Sequence, residues 1–130
     1  MLDETSRCAA MDKQLEARLA VVRGRFSTRL TERLEQAAID LPRMTGDQAT
    51  SAELVAKTYC WIHDICGIAS TIGFGAIGQA ARACDSVLLG PYRSRRGLET
   101  EELNALTTHF ERLRLAAEAA QCGTDASRGT

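Results

Sequence analysis

The chain has 130 residues, enough for one hydrophobic core but too few for two domains of ordinary size. Its 16 basic and 17 acidic side chains almost balance, which argues against a nucleic-acid partner because nucleic-acid-binding domains are usually basic. No apolar run reaches the length of about 18 residues that a membrane-spanning helix needs. The N-terminus is polar and acidic, unlike a secretory signal. We therefore expect one cytoplasmic domain that has no membrane partner.

The cysteine pattern also indicates a cytoplasmic protein. Their number is odd, their spacing does not fit a disulfide framework, and three lie within helical patterns. They are Cys8, Cys60, Cys66, Cys84 and Cys122. We expect all of them to be reduced thiols, as is usual in the cytoplasm.

Four segments carry apolar residues at helical spacing, and no segment alternates with a period of two. The four are residues 11–41, 50–73, 75–89 and 100–120. The first segment places these residues on one face: Leu15, Leu19, Val22, Phe26, Leu30, Leu34 and Ala38. Short connections join the segments, so the sequence predicts an all-α fold, an antiparallel up-down four-helix bundle with an N-terminal helical extension.

The limits of the domain follow from the same pattern. We expect the bundle to occupy residues 11–120, with a flexible or only loosely helical N-terminus at residues 1–10. The last ten residues, 121–130, are rich in Gly, Ser and Thr and predict a disordered tail. Gly24 is expected to bend or divide the first helix.

Local signals predict the ends of the helices. Pro42 marks the end of the first helix, and Thr50 followed by Glu53 predicts a capping box at the start of the second. Gly73 suits a left-handed position after the second helix, and Gly90-Pro91 predicts the end of the third. Thr100, with two glutamates after it, favours the start of the fourth.

His63 lies on the outer face of the second helix. At about 100° per residue it stands roughly 150° from the centre of the apolar stripe, so it is expected to point to solvent or a partner. Its neighbours on that face are mostly small: Ala56, Tyr59, Cys60, Cys66, Gly67 and Ser70. A glycine within a helix costs about 1 kcal/mol relative to alanine. Gly67, one turn after His63, therefore suggests that another molecule approaches the helix there.

A longer pattern begins at the same histidine. It consists of His63, Asp64, Ile65, Cys66, Gly67, Gly73, Ile77, Ala81 and Asp85. This pattern resembles the signature of histidine-containing phosphotransfer (HPt) domains. That signature has an H-x-L-x-G core, a glycine shortly after it, and a helix of spaced small and apolar residues that ends in an acid. The family often has lysine where this chain has Cys66.

The resemblance implies that His63 carries a phosphoryl group between aspartates of receiver domains in a two-component phosphorelay. The implied partner is a response regulator receiver domain or a hybrid histidine kinase. The chain itself would bind no cofactor and no metal, because Mg²⁺ would come from the receiver domain. The implied state is a monomer. The chain would be a carrier of phosphohistidine with no kinase activity of its own.

If His63 is the phosphoacceptor, we expect its neighbours to have supporting roles. Gly67 would give a receiver room to approach, and Tyr59 and Ser70 would border the docking face. Cys66 removes a positive charge that could steady the phosphohistidine, and Arg82 on the next helix is the candidate substitute.

Two other functions remain open on the sequence. The first is a non-catalytic docking module for a receiver or kinase. The second is a helical metal or redox protein that uses Cys60, His63 and Cys66, although structural zinc sites usually take ligands from two elements. A nucleophilic cysteine paired with a histidine is a weaker hypothesis, because nothing indicates an orienting group.

Three further features of the sequence are given no catalytic or cofactor-binding role. Gly73, Gly75 and Gly78 fit G-x-G-x-x-G, but the dinucleotide fingerprint needs a strand before it, and none is predicted. Residues 90–99 contain three arginines and are expected to be a solvated connector or a contributor to docking on an acidic surface. His109 is expected to be a plain surface residue.

Overall fold

A computed structural model of the chain contains four α-helices. They are α1 (Glu4–Asp40), α2 (Ala49–Thr71), α3 (Gly75–Arg93) and α4 (Thr100–Gly129), and a short 3-10 helix (Leu41–Met44) follows α1. The structure describes residues 4–46 and 48–129, and the side chains of residues 8–46 and 48–121. These residues form no β-strand, and the helices pack against one another as the predicted all-α four-helix bundle. The fold class is confirmed.

The core lies between the helices and consists mainly of aliphatic side chains. Its fully or almost fully buried members include Leu30, Leu34, Met44, Val55, Ile62, Ile65, Ile77, Ala81, Leu88, Leu106 and Leu113. The α2–α3 pair is the most extensive contact in the bundle. It is close because small residues face each other: a Cβ added at Gly78 would lie 3.8 Å from Ala69 Cβ and 3.6 Å from Ser70 Oγ.

The first half of α1 differs from the prediction. Leu30 and Leu34 are buried as expected, but Leu15, Val22 and Ala38 are exposed. The reason is packing: α1 packs chiefly against α4 and the 3-10 helix, and its buried residues begin only at Ser27, so the first half of the helix lies outside the core. At the other end, Ala37 rather than Ala38 is buried.

Both ends of the chain are more helical than the sequence suggested. α1 begins at Glu4, within the segment expected to be at most loosely helical, and it continues through Gly24 without division. α4 continues past residue 120 as far as Gly129, into the segment predicted to be a disordered tail. The limits of the functional domain within the chain remain a prediction.

The predicted capping box at the start of α2 is wrong. The helix begins at Ala49, with Gln48 in the N-cap position, and the structure shows no side-chain cap there among its described residues. Thr50 therefore already lies within the first turn. The local polar contact is made instead by Ser51, whose buried Oγ lies 3.0 Å from the Arg43 carbonyl oxygen and 2.9 Å from that of Thr45.

The turn between α2 and α3 depends on Gly73, as predicted. Gly73 has φ 84°, in the left-handed region that glycine adopts without strain, directly after the C-cap residue Ile72. Arg23 of α1 donates from Nε to the Ile72 carbonyl oxygen at 2.7 Å. A Cβ at position 73 would lie 2.9 Å from Arg23 Nη2, the end of a flexible side chain that can move aside, so φ rather than space favours glycine.

The predicted end of α3 at Gly90-Pro91 is wrong. The helix continues to Arg93 with Pro91 inside its last turn. Proline removes only one helical hydrogen bond so close to the end, and its ring is buried in the bundle. The helix terminates through Arg95, which has φ 52°, and through a bond from Arg96 N to the Pro91 carbonyl oxygen at 3.1 Å.

α4 begins at Thr100 as predicted, and a salt bridge fixes the loop before it. Arg96 Nη1 donates to Glu102 Oε1 at 2.7 Å, and the same carboxylate accepts from the Glu99 backbone N–H at 2.9 Å. The two bonds hold the pKa of Glu102 below its ordinary value, chiefly through Arg96. Glu102 therefore links the loop before α4 to the first turn of that helix.

Candidate functional site

His63 stands on the outer face of α2, as the periodicity predicted. The opposite face of the helix is buried in the core through Val55, Thr58, Ile62, Ile65 and Ala69. The His63 side chain is 64% exposed. Because its helix is anchored on one side only, the imidazole is held on a rigid element and remains open to an incoming molecule.

Asp85 of α3 orients the imidazole. His63 Nδ1 lies 3.0 Å from Asp85 Oδ2. An ionised carboxylate can only accept hydrogen bonds, so Nδ1 carries the proton of this contact. In the neutral ring the lone pair is then on Nε2, the nitrogen that Asp85 does not contact. The pair thus defines which nitrogen can act as a nucleophile.

A stack of aromatic rings adjoins this pair. The ring of Tyr59 lies 5.6 Å from that of His63 and 4.3 Å from that of Tyr92, with interplanar angles of 27° and 20°. Tyr59 thus adjoins the histidine on the same exposed face. Burial raises the pKa of the Tyr59 phenol, and the Asp85 carboxylate raises it further, so the phenol stays neutral. We call these three rings the aromatic ladder.

Cys66 and Arg82 lie on the other side of His63. Burial raises the pKa of the Cys66 thiol and the Asp85 carboxylate adds to this, while the Arg82 guanidinium opposes it. The thiol is therefore neutral at pH 7, and Arg82 is close enough to influence it. Arg82 is exposed and forms no ion pair within the part of the chain that the structure describes.

Gly67 and Ser70 lie on the exposed face of α2, one and two turns after His63. Ser70 Oγ donates to the Cys66 carbonyl oxygen at 3.0 Å, so the hydroxyl lies along the helix. Gly67 is exposed, and a Cβ added to it would meet no described atom within 4 Å. Nothing in the described part of the bundle therefore requires glycine at this position.

The sequence alone gives no role to Asp85 or Tyr92. Asp85 enters only as the acid that ends the HPt-like pattern, and its pairing with a residue 22 positions earlier depends on how α3 packs against α2. Tyr92 was assigned to a loop because Gly90-Pro91 was expected to end α3. A helix continued past Pro91 would have placed Tyr92 seven positions, or two turns, after Asp85.

The other candidate residues do not form a second centre. Among the side chains that the structure describes, no group of three or more His, Cys, Asp or Glu residues is placed to hold a metal ion. Cys60 is exposed, Cys66 is half-buried, and burial raises the pKa of the Cys84 thiol to about 12. Gly73 lies in the turn between α2 and α3, and Gly75 and Gly78 lie in the first turn of α3. A helix therefore precedes them, where the dinucleotide fingerprint has a strand.

His109 is less exposed than predicted. It is half-buried on α4, beside the buried Phe110. Its Nδ1 atom is buried and has no hydrogen-bond partner among the described residues. The sequence placed it on the surface because its position is at the flank of the apolar face, where the burial of the ring depends on neighbouring helices.

Comparison with known proteins does not assign the chain to a family. A scan against protein-family models, a search of curated proteins and a search of solved structures each found no match. Within the described residues, no helix combines the length and the apolar character needed to cross a membrane.

Proposed function

We propose that the chain is a histidine phosphotransfer protein in which His63 receives and donates a phosphoryl group in a two-component phosphorelay. The observation that carries the proposal is the pairing of His63 Nδ1 with Asp85, which leaves Nε2 on an exposed face of a rigid helix. Imidazole is largely neutral at pH 7 and nucleophilic at its unprotonated nitrogen. The HPt-like pattern around His63 supports the same function.

The transfer step needs no proton movement. The Nε2 lone pair forms a bond to the phosphorus of an aspartyl phosphate, and the bond from phosphorus to the aspartate oxygen breaks. The carboxylate leaves with the electron pair, and the imidazole ring gains a positive charge. Asp85 accepts from Nδ1–H and stabilises that charge. In the reverse direction the neutral imidazole is the leaving group, so Asp85 serves both directions.

The partner would supply the remainder of the chemistry. We propose a response regulator receiver domain or a hybrid histidine kinase, since phosphoryl transfer requires positioning and neutralisation of charge on the phosphoryl oxygens. The receiver would contribute the aspartate and the Mg²⁺, so the chain would act as a carrier without kinase activity. We also propose a cytoplasmic location, from the pattern of the cysteines, and a monomeric state, from the resemblance to HPt domains.

Arg82 is proposed as the cation that the family usually supplies at the position of Cys66. Its guanidinium is exposed, and its charge reaches the Cys66 thiol, which lies one turn from His63 on the same helix. A cation in that place would attract the negatively charged oxygens of the phosphoryl group on His63. The small surface formed by Gly67 and Ser70 would lie against the receiver.

The proposal is tested with wild type and His63→Gln, each incubated with Mg²⁺ and a panel of phosphorylated receiver domains. We expect acid-labile label on wild type only. In parallel, phosphoramidate serves as a small phosphoryl donor that needs no docking, with an established HPt domain as the positive control. Absence of label on wild type with both donors, while the control is labelled, would exclude the carrier function and favour a non-catalytic docking module.

A further inference from the structure

A groove between α2 and α3 continues from the aromatic ladder away from His63. It has a volume of about 450 Å³ and is lined by Ala52, Glu53, Ala56, Tyr92, Arg93 and Arg95. We call it the α2–α3 groove. Tyr92, 37% exposed, belongs both to the groove and to the ladder, so the groove and the histidine form one continuous surface.

The charges of the groove are free to bind a partner. Arg93 and Arg95 are exposed, and neither makes an ion pair within the described part of the chain. Arg96, the third arginine of the segment, is held by Glu102 and does not contribute. Glu53 is the acidic residue of the lining and lies on α2, whereas Arg93 is the last residue of α3 and Arg95 lies in the loop after it. The groove is therefore basic on its α3 side and small and apolar at Ala52 and Ala56.

Position supports a binding role. The Arg95 side chain lines the groove together with Tyr92 and Arg93. Ala56 precedes His63 by seven residues, or about 10 Å along the helix. A protein interface of about 800 Å² per partner has a radius of roughly 16 Å. A partner docked on His63 with such a footprint reaches the groove.

We propose that the α2–α3 groove binds an acidic segment of the partner that docks at His63. Carboxylates of that segment pair with Arg93 and Arg95, and an apolar or aromatic side chain beside them packs on the face of Tyr92. Glu53 repels carboxylates from the α2 side and so sets the orientation of the segment. This inference rests on the proposed phosphotransfer function for the identity of the partner, but the groove can be tested without it.

The first test uses a probe peptide, Ac-Glu-Glu-Phe-Glu-Glu-NH₂, titrated into ¹⁵N-labelled protein and followed by amide chemical shifts. We expect saturable shifts at groove residues that disappear in 0.5 M NaCl, and no such shifts with the Lys-Lys-Phe-Lys-Lys peptide. The Arg93→Gln/Arg95→Gln variant should lose the shifts. Arg25→Gln/Arg29→Gln, which removes two exposed charges from α1, should retain them. Absence of shifts, or shifts spread equally over other surface arginines, overturns the proposal.

The second test uses a receiver domain that phosphorylates the wild type. Loss of two exposed charge pairs should raise the half-saturating receiver concentration about 3- to 10-fold at low salt, with the maximal rate unchanged. Labelling by phosphoramidate should be the same in both double variants and in wild type. If receivers label wild type and Arg93→Gln/Arg95→Gln equally well, the groove proposal is wrong and the carrier function stands. If neither donor labels wild type, the carrier function is wrong, and the peptide titration still decides on the groove.

Discussion

His63 and Asp85 are joined by a hydrogen bond of 3.0 Å between Nδ1 and Oδ2, across the most extensive helix interface of the bundle. The bond couples a surface histidine to the packing of α2 against α3. It fixes the ring in one tautomer and one orientation, and a reactive group that is already oriented loses less entropy when it reacts. The predicted consequences begin with this pair.

Asp85→Ala should slow labelling of His63 by phosphoramidate about 10-fold or more, because a hydrogen bond to a charged group contributes about 1.5–3 kcal/mol. Asp85→Asn keeps an acceptor but can also donate to Nδ1, so we expect an intermediate rate. ¹⁵N NMR of the imidazole should show a mixture of tautomers in both variants and one tautomer in wild type. A wild-type rate in a correctly folded Asp85→Ala protein would contradict the role of this pair.

Gly67→Ala should separate stability from function. A helical glycine with open space around its Cα is expected to gain about 0.5–1 kcal/mol when replaced by alanine, measured by urea unfolding. Gly24→Ala is the matched control, since Gly24 also has open space and lies within α1. We expect both variants to be more stable, and only Gly67→Ala to accept phosphate from a receiver more slowly. Equal transfer rates would show that no partner approaches at Gly67.

Arg82→Ala should shorten the lifetime of the phosphohistidine. The effect of one exposed charge is of the order of 0.5–1 kcal/mol, which corresponds to about a 2- to 5-fold faster loss of phosphate. Cys66→Lys should lengthen the lifetime of the phosphohistidine. The double variant Cys66→Lys/Arg82→Ala should return the lifetime from the shortened value of Arg82→Ala to about that of wild type. Arg112→Ala, an exposed arginine on α4, controls for the change in net charge. If the lifetime of the phosphohistidine responds to neither substitution, Arg82 does not stabilise it, and any stabilising cation must come from the partner.

Glu102 should make the stability of the protein depend on acid pH. Its pKa in the folded protein is held below the ordinary value of 4.5, chiefly by the hydrogen bond from Arg96. The ionised carboxylate therefore stabilises the fold above that value, and the contribution is lost as pH falls through the lowered pKa.

Glu102→Gln should therefore lower the free energy of unfolding by about 1 kcal/mol at pH 7, allowing for partial exposure of the pair. The difference from wild type should shrink as pH falls below 4.5 and should vanish once pH has passed the lowered pKa of Glu102. Urea titrations over this range test the prediction, with Glu35→Gln on the exposed face of α1 as control. A difference that is constant with pH would indicate that Glu102 acts through packing alone.

The periodicity of apolar residues was sufficient to predict the helices and the exposure of His63. A histidine opposite an apolar stripe must face outward once that stripe is buried. It was not sufficient for Asp85 or Tyr92. Their roles depend on the packing of two helices and on the continuation of α3 through Pro91, which a local rule for proline does not foresee. The exposure of Leu15 and Val22 was missed for a related reason, because the packing of α1 against other helices decides which part of its apolar face is covered.

The most direct measurement is the identity of the phosphorylated nitrogen. Wild-type protein labelled by phosphoramidate, or by a receiver domain, is examined by ³¹P and ¹⁵N NMR, which distinguish phosphate on Nε2 from phosphate on Nδ1. The account predicts a single Nε2-phosphohistidine at His63, with Nδ1 still protonated and bonded to Asp85. Phosphate on Nδ1 of His63, or on another residue, would contradict it.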